Sequence, residues 1–154
     1  MAIEIKVLRC HDADVLTHVA PGVFDDPIDH VATREFLADP HYHLVVAVQG
    51  GLVVGFVSAV HYAHPDKPRP ELWINEVGVA TTHQGQGVGK KLIGSMLEEG
   101  RRAGCSEAWV LTDRDNTSAM RLYSASGGVE APRDQVMFEF NLDEMADPDR
   151  ADRA

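Results

Sequence analysis

The run Trp73-Ile74-Asn75-Glu76-Val77-Gly78-Val79-Ala80-Thr81-Thr82-His83-Gln84-Gly85-Gln86-Gly87-Val88-Gly89-Lys90-Lys91-Leu92-Ile93 decides how the chain is read. It opens on β-branched residues, passes through a loop with glycine at alternate positions, and closes on a helical pattern. A helix fed by a glycine loop presents open backbone N–H groups at the positive end of its dipole, and such an end binds anions. Val88, Leu92, Ile93, Met96 and Leu97 recur at helical spacing, so one face of this helix packs into a core.

Upstream, Ile3, Ile5 and Val7 alternate with Glu4 and Lys6, as a strand does. Residues 11–19 predict a short helix capped by Asp12 or Asp14. Asp25-Asp26-Pro27 predicts the start of a second helix, striped by Ile28, Val31, Ala32, Phe36 and Leu37 and ended by Asp39-Pro40. Residues 43–48 and 52–60 are apolar strands, and Gly50-Gly51 between them suits a tight hairpin turn. Pro65, Pro68 and Pro70 predict a loop over 61–70, before a strand over 72–79. Downstream come a strand over 107–112, a helix carrying Ala119, Leu122 and Tyr123, a stop at Gly127-Gly128, and a last strand over 136–142. The order β-α-α-β-β-β-α-β-α-β predicts a mixed sheet with helices on both faces, an α/β (α+β) class. One domain over 1–142 and an acidic, frayed tail over 143–154 are expected.

The chain has 154 residues and a net charge of −10. That balance argues against nucleic acid as the main partner, because phosphate binding needs a basic surface. It suits a cationic substrate, although acidity alone also keeps a protein soluble. No apolar run approaches a membrane span, and the N-terminus has no signal-peptide pattern. Cys10 and Cys105 lack metal-type spacing, so a reduced, cytoplasmic protein is expected. His61 and His64 have loose metal spacing with no acid or thiol evident beside them, and no metal is expected. Cys105 opens a strand without an evident base partner, so it is a poor nucleophile candidate.

Three phosphate-loop readings compete for Gln84 to Lys90. The nucleotide P-loop fails because Gly85 and Gly89 are one residue too close and Lys91 replaces the magnesium-binding hydroxyl. The dinucleotide fingerprint fails because the third glycine is misplaced and the loop follows a hairpin, midway along the chain. The pattern Q-x-x-G-x-G, met by Gln84, Gly87 and Gly89, remains. Glycines let backbone approach a pyrophosphate, and successive N–H groups over 85–89 can form a nest. Lys90 and Lys91 in the first helical turn oppose the dipole unless an anion is bound. A plain turn with solvated lysines is the competing account.

Gln84-Gly85-Gln86-Gly87-Val88-Gly89 after its strand, together with Asn116-x-x-Ala119-x-x-Leu122-Tyr123 and Gly127-Gly128, resembles the GNAT superfamily of acyl-CoA-dependent N-acetyltransferases. The likeness covers residues 43–140. Within it, Ile74-Asn75-Glu76-Val77-Gly78-Val79, Asp113, Ala119-x-x-Leu122-Tyr123 and Val136-Met137-Phe138 are similar to the small aminoglycoside 3-N-acetyltransferases. Two departures stand out: that subfamily usually has Asp at the Glu76 position and Arg at the Gln84 position.

The resemblance implies a mostly antiparallel central sheet and acetyl-CoA as co-substrate, with no metal. Its pyrophosphate would lie on Gln84, Gly85, Gln86, Gly87, Val88, Gly89 and Lys90, and its pantetheine beside Val77 and Val79. Asn116 would touch the pantetheine or only cap its helix. Glu76 would be the base and Tyr123 the proton donor to the leaving thiolate. An outward strand acid and a core aromatic are their bland alternatives. Asp25, Asp26, Asp29, Asp113, Asp115 and Glu139 would line a cationic acceptor pocket, although a cap and dipole role also explains the first three. Direct transfer to the position-3 amine of an aminoglycoside follows. A polyamine, amino acid or protein amine is the alternative acceptor, and a non-catalytic acyl-CoA-binding module is a third reading. By family analogy the chain would form a homodimer, with the last strand a candidate to pair across the interface.

Overall fold

A computed structural model describes residues 1–132 and 134–145. Its strands are β1 (Glu4–Val7), β2 (Tyr42–Gln49), β3 (Leu52–His64), β4 (Lys67–Val79) and β5 (Glu107–Val110). Its helices are α1 (His30–Ala38), α2 (Val88–Arg102), α3 (Thr117–Ala125) and the single turn α4 (Leu142–Met145), with 3-10 turns over Ala13–Thr17 and Thr81–His83. The strands lie in chain order, β1-β2-β3-β4-β5. All neighbours are antiparallel except β4 and β5, which run parallel because α2 carries the chain back across the sheet.

Alternation along β3 assigns the two faces. Gly55 abuts Leu92 of α2, whereas Phe56, one residue on, stacks on Phe24 with ring centroids 3.9 Å apart. So α2 covers one face, and α1 with the segment before it covers the other. Val88, Leu92, Ile93 and Met96 of α2 are buried against Val45, Val57, Leu72 and their neighbours. At the far end of α2, a Cβ on Gly100 would stand 2.9 Å from Leu72, which is how closely this helix meets β4. Glu99, 3% exposed, is paired by Arg9 at 3.0 Å and Arg102 at 2.9 Å, tying the end of β1 to α2.

The β2–β3 turn is as read. Gly50 and Gly51 have φ of 59° and 79°, the left-handed pair a tight hairpin requires. Other boundaries moved. The expected helix over 11–19 is a 3-10 turn. The second helix begins at His30, because Asp29 Oδ1 accepts from the N–H groups of Val31 and Ala32, both at 3.0 Å. That cap overrides the start signal at Asp25-Pro27. The expected loop over 61–70 is strand on both sides of a turn at Pro65-Asp66. Pro68 and Pro70 lie inside β4 where its pairing with β3 is irregular, between Tyr62 and His64, a place in a sheet that tolerates proline. Pro70 still contributes its carbonyl, which accepts from Ser106 at 3.0 Å.

The expected last strand is a further correction. Residues 134–141 take no regular structure; Val136, Met137, Phe138, Glu139 and Phe140 are exposed, and β5 is the edge of the described sheet. Alternating apolar residues make a strand only where a neighbour supplies the ladder. The expected tail opens as part of α4, where Asn141 Oδ1 accepts from Glu144 at 3.2 Å; its remainder, 146–154, lies outside the described residues. No described helix is long and apolar enough to cross a membrane.

Candidate active site

β5 pairs with β4 only from Glu71 to Ile74, while β4 runs on to Val79. The β4 edge from Asn75 to Val79 therefore has no strand partner among the described residues. A register irregularity between Ser58 and Ala59 adds a residue to β4 at the same level, where Ser58 pairs with Glu76 and Ala59 with Ile74. Such bulges re-aim side chains and twist the strand. Glu76 is exposed at this point.

Glu76 lines a cavity of about 300 Å³ on the α1 face. Its floor is Leu44, Phe56 and Ser58, and its wall is Phe24, Ile28, Ala32, Thr33 and Phe36. Asp25, Asp26 and Asp29 stand at the same cavity. Asp29 already caps α1, whereas Asp25 and Asp26 precede the helix and are exposed. Asp113, Asp115 and Glu139 are not among the lining residues. Asp113 and Asp115 instead turn the chain into α3, their carbonyls accepting from Asn116 and Thr117 at 3.0 Å.

The wall is anchored by a contact that sequence reading did not find. Val23 is buried, and a Cβ on Gly78 would stand 2.1 Å from its carbonyl oxygen. Only glycine lets the segment before α1 lie on β4 this closely. The signal was present as a glycine inside a strand run, which marks close backbone approach.

On the other side, the glycine loop is shaped by its own side chains. Gln84 Nε2 donates to the Val79 carbonyl at 3.1 Å, and Gln86 Nε2 donates to the Thr82 carbonyl at 3.2 Å. Gly85 and Gly87 have φ of 74° and 78°. Gly87 is the N-cap of α2, with no side-chain cap and no acid in the first turn. The start of α2 thus offers N–H donors and dipole to an anion, with Lys90 and Lys91 exposed beside it. Gly89 has a different reason: a Cβ there would stand 3.2 Å from Leu122 of α3. The two sequence motifs therefore touch each other. Tyr123, next to Leu122, is half-buried, and burial pushes its phenol above the ordinary value. It keeps its proton at neutral pH and above. Asn116 caps α3, Oδ1 accepting from Ala119 at 3.1 Å.

His61 and His64 point apart. His61 Nδ1 lies 2.7 Å from His43 Nε2, while His64 hydrogen-bonds Glu71. No described group of three metal-type side chains comes together. Cys105 is buried, which raises its thiol, and Cys10 is exposed.

An uncapped helix start after a glycine loop, an open strand edge and a carboxylate at a bulge form one continuous feature. Residues 12–127 match the acetyltransferase (GNAT) family model. The chain belongs to the GNAT family. It is 34% identical over 127 residues to the N-alpha-acetyltransferase RimI of Mycobacterium tuberculosis, covering 81% of this chain and 77% of that protein. It is 33% identical over 95 residues to N-acetyltransferase family 8 member 2 of Rattus norvegicus, covering 62% of this chain. The match spans only 42% of the rat protein's length. The fold is also that of an aminoglycoside acetyltransferase from an uncultured soil metagenomic sample, solved in complex with sisomicin. That likeness has a TM-score of 0.74 at 21% identity, over 91% of this chain and 96% of the other. In this GNAT chain, the glycine loop and the open β4 edge meet at Val79, whose carbonyl accepts from Gln84.

Proposed function

We propose that this GNAT protein is an N-acetyltransferase that moves the acetyl group of acetyl-CoA to a cationic amine. The observation that carries the reading is the position of Glu76. It stands between the open β4 edge and a cavity whose other acids are Asp25, Asp26 and Asp29.

The residues present fit acetyl-CoA. Gly85 and Gly87 hold backbone conformations that side chains disfavour, beside an uncapped helix start that suits a pyrophosphate. The β4 edge at Val77 and Val79, which no described strand pairs on that side, suits the amides of the pantetheine arm. Glu76 takes a proton from the acceptor ammonium, directly or through water, freeing the nitrogen lone pair. The nitrogen attacks the thioester carbon, a C–N bond forms, and the C–S bond breaks. Tyr123 supplies a proton, or a hydrogen bond, to the departing sulfur. Both substrates are held together and no acyl-enzyme forms. The reduced state of Cys10 and Cys105 goes with a cytoplasmic setting.

For the acceptor we propose an aminoglycoside acetylated at its position-3 amine, on the strength of the acidic cavity and the subfamily-like segments around Glu76 and Tyr123. Incubation with acetyl-CoA and sisomicin or gentamicin, followed by mass spectrometry of the product, tests it. Modification only of polyamines or peptides would overturn the aminoglycoside assignment. The second reading is acetylation of a protein or amino acid amine, and the 34% identity to RimI favours it.

A further inference from the structure

The face of the sheet that holds Glu76 continues past the cavity as an aromatic shelf. Ser58, Val60 and Tyr62 alternate along β3 and so share this face. Their partners on β4 are Glu76, Trp73 and Glu71 in that order. Trp73 is in turn paired with Trp109 of β5, and the two indoles stack with centroids 5.0 Å apart at an interplanar angle of 9°. The indole N–H of Trp109 donates to the Tyr62 hydroxyl at 2.9 Å, which fixes the stack from the same face. Trp73 remains 38% exposed.

We propose that this stack is a second acceptor subsite, taking a cationic group of the amine other than the one being acetylated. Trp73 lies between two carboxylates on one face, Glu76 on one side and Glu71 on the other. Hydrogen bonds from Glu107 and His64 hold the Glu71 carboxyl below its ordinary range, so it is ionised at neutral pH. An anion would be repelled from this strip, and an apolar group would leave Glu76 without a partner, while Glu71 already has His64. A cation gains twice, from the indole face and from the flanking charge. Two residue steps along β3 put Trp73 about 7 Å from Glu76, and four put Glu71 about 13 Å away. The acceptor is therefore a molecule with a second positive charge at that reach, as an aminoglycoside, a polyamine or a peptide with a basic side chain has. Trp73 does not line the cavity; with Val60 it forms the next same-face pair after Ser58 and Glu76, which do, and selection falls on the distance between charges. The inference deepens the acetyl-transfer reading and takes only the place of the reacting nitrogen from it.

Trp73 and Trp109 are the two tryptophans of the chain, so intrinsic fluorescence reports on the shelf without an added label. Spermidine is titrated against butylamine, which has a reacting amine and no second charge. Spermidine should change the emission with a half-saturation at least about tenfold lower than butylamine. Trp73→Ala, read by Trp109 emission and by calorimetry, and Glu71→Gln should each shrink that gap. Equal half-saturation for the two amines, or a gap untouched by both variants, overturns the subsite. Emission that follows protein concentration and ignores amines also overturns it, because a second copy of the chain then covers the shelf. Thiol release from acetyl-CoA is measured separately. Equal turnover of both amines with equal binding sinks the subsite and leaves acetyl transfer standing. Tight spermidine binding without thiol release does the reverse.

Discussion

Gly78 of β4 lies so close to Val23 that a Cβ on it would sit 2.1 Å from the Val23 carbonyl oxygen. This contact sets the height of the segment that carries Phe24, Asp25 and Asp26 above the sheet, and so the depth of the cavity beside Glu76. Gly78→Ala must lift that segment. Overpacking of this kind destabilises by about 1–3 kcal/mol. The expected result is a lower urea midpoint and an amine KM that rises more than the acetyl-CoA KM. Equal effects on both KM values would separate the contact from the acceptor site.

Gly87 and Gly89 should fail for different reasons. Gly87 has φ of 78°, and a left-handed alanine costs about 1–2 kcal/mol. Gly87→Ala should weaken acetyl-CoA binding through a distorted helix start, with no partner able to rescue it. Gly89→Ala presses on Leu122 at 3.2 Å. Its effect should couple to Leu122→Ala by roughly 0.5–3 kcal/mol in a double-mutant cycle. Additive values would show that the contact is not shared.

Much of the fold is legible in the sequence because its signals are local. Gly50-Gly51 between apolar runs gives the β2–β3 hairpin, and the Val88–Met96 stripe gives α2 and its buried face. What is not legible depends on contacts far apart in the chain. Pro68 and Pro70 look like breakers until the folded sheet places them in β4 at an irregular stretch of its pairing with β3. Val136–Leu142 alternates like a strand, yet no described neighbour pairs with it. At the site, Glu76 and the glycine loop share one sequence stretch and are read together. The Gly78–Val23 contact, the Gly89–Leu122 contact and the Trp73–Trp109 stack join residues that only the folded sheet brings together. The acids divide along the same line, since Asp25 and Asp26 reach the cavity while Asp113 and Asp115 do not line it.

Stability should fall on the acid side through a buried histidine. Burial, with His61 adding to it, holds the His43 imidazole below its ordinary value of 6.5. Glu99 opposes that shift, while Arg9 and His41 reinforce it. The unfolded chain then binds the proton more readily than the folded one. The folded state keeps its full advantage above about pH 6.5 and loses it as the pH falls below. The urea midpoint should drop between about pH 7.5 and pH 5.5, and His43→Gln should flatten that slope. An identical slope in the variant would assign the acid loss to other groups.

Glu76→Gln and Tyr123→Phe test the proton transfers. Each should lower turnover by a factor on the order of 10² to 10⁴ while leaving the fold intact. Acetyl-CoA binding should survive both changes, because the glycine loop and α2 are untouched. Unchanged turnover in both variants would remove the acid–base roles from these residues.

The most direct measurement is thiol release from acetyl-CoA by the full chain over one panel of amines. Sisomicin, spermidine, a peptide with a free N-terminus and butylamine would be compared at equal concentration. Amine-dependent release is predicted, fastest with the polycations and lost in Glu76→Gln. Tight acetyl-CoA binding with no release by any amine would contradict acetyl transfer and leave an acyl-CoA-binding module.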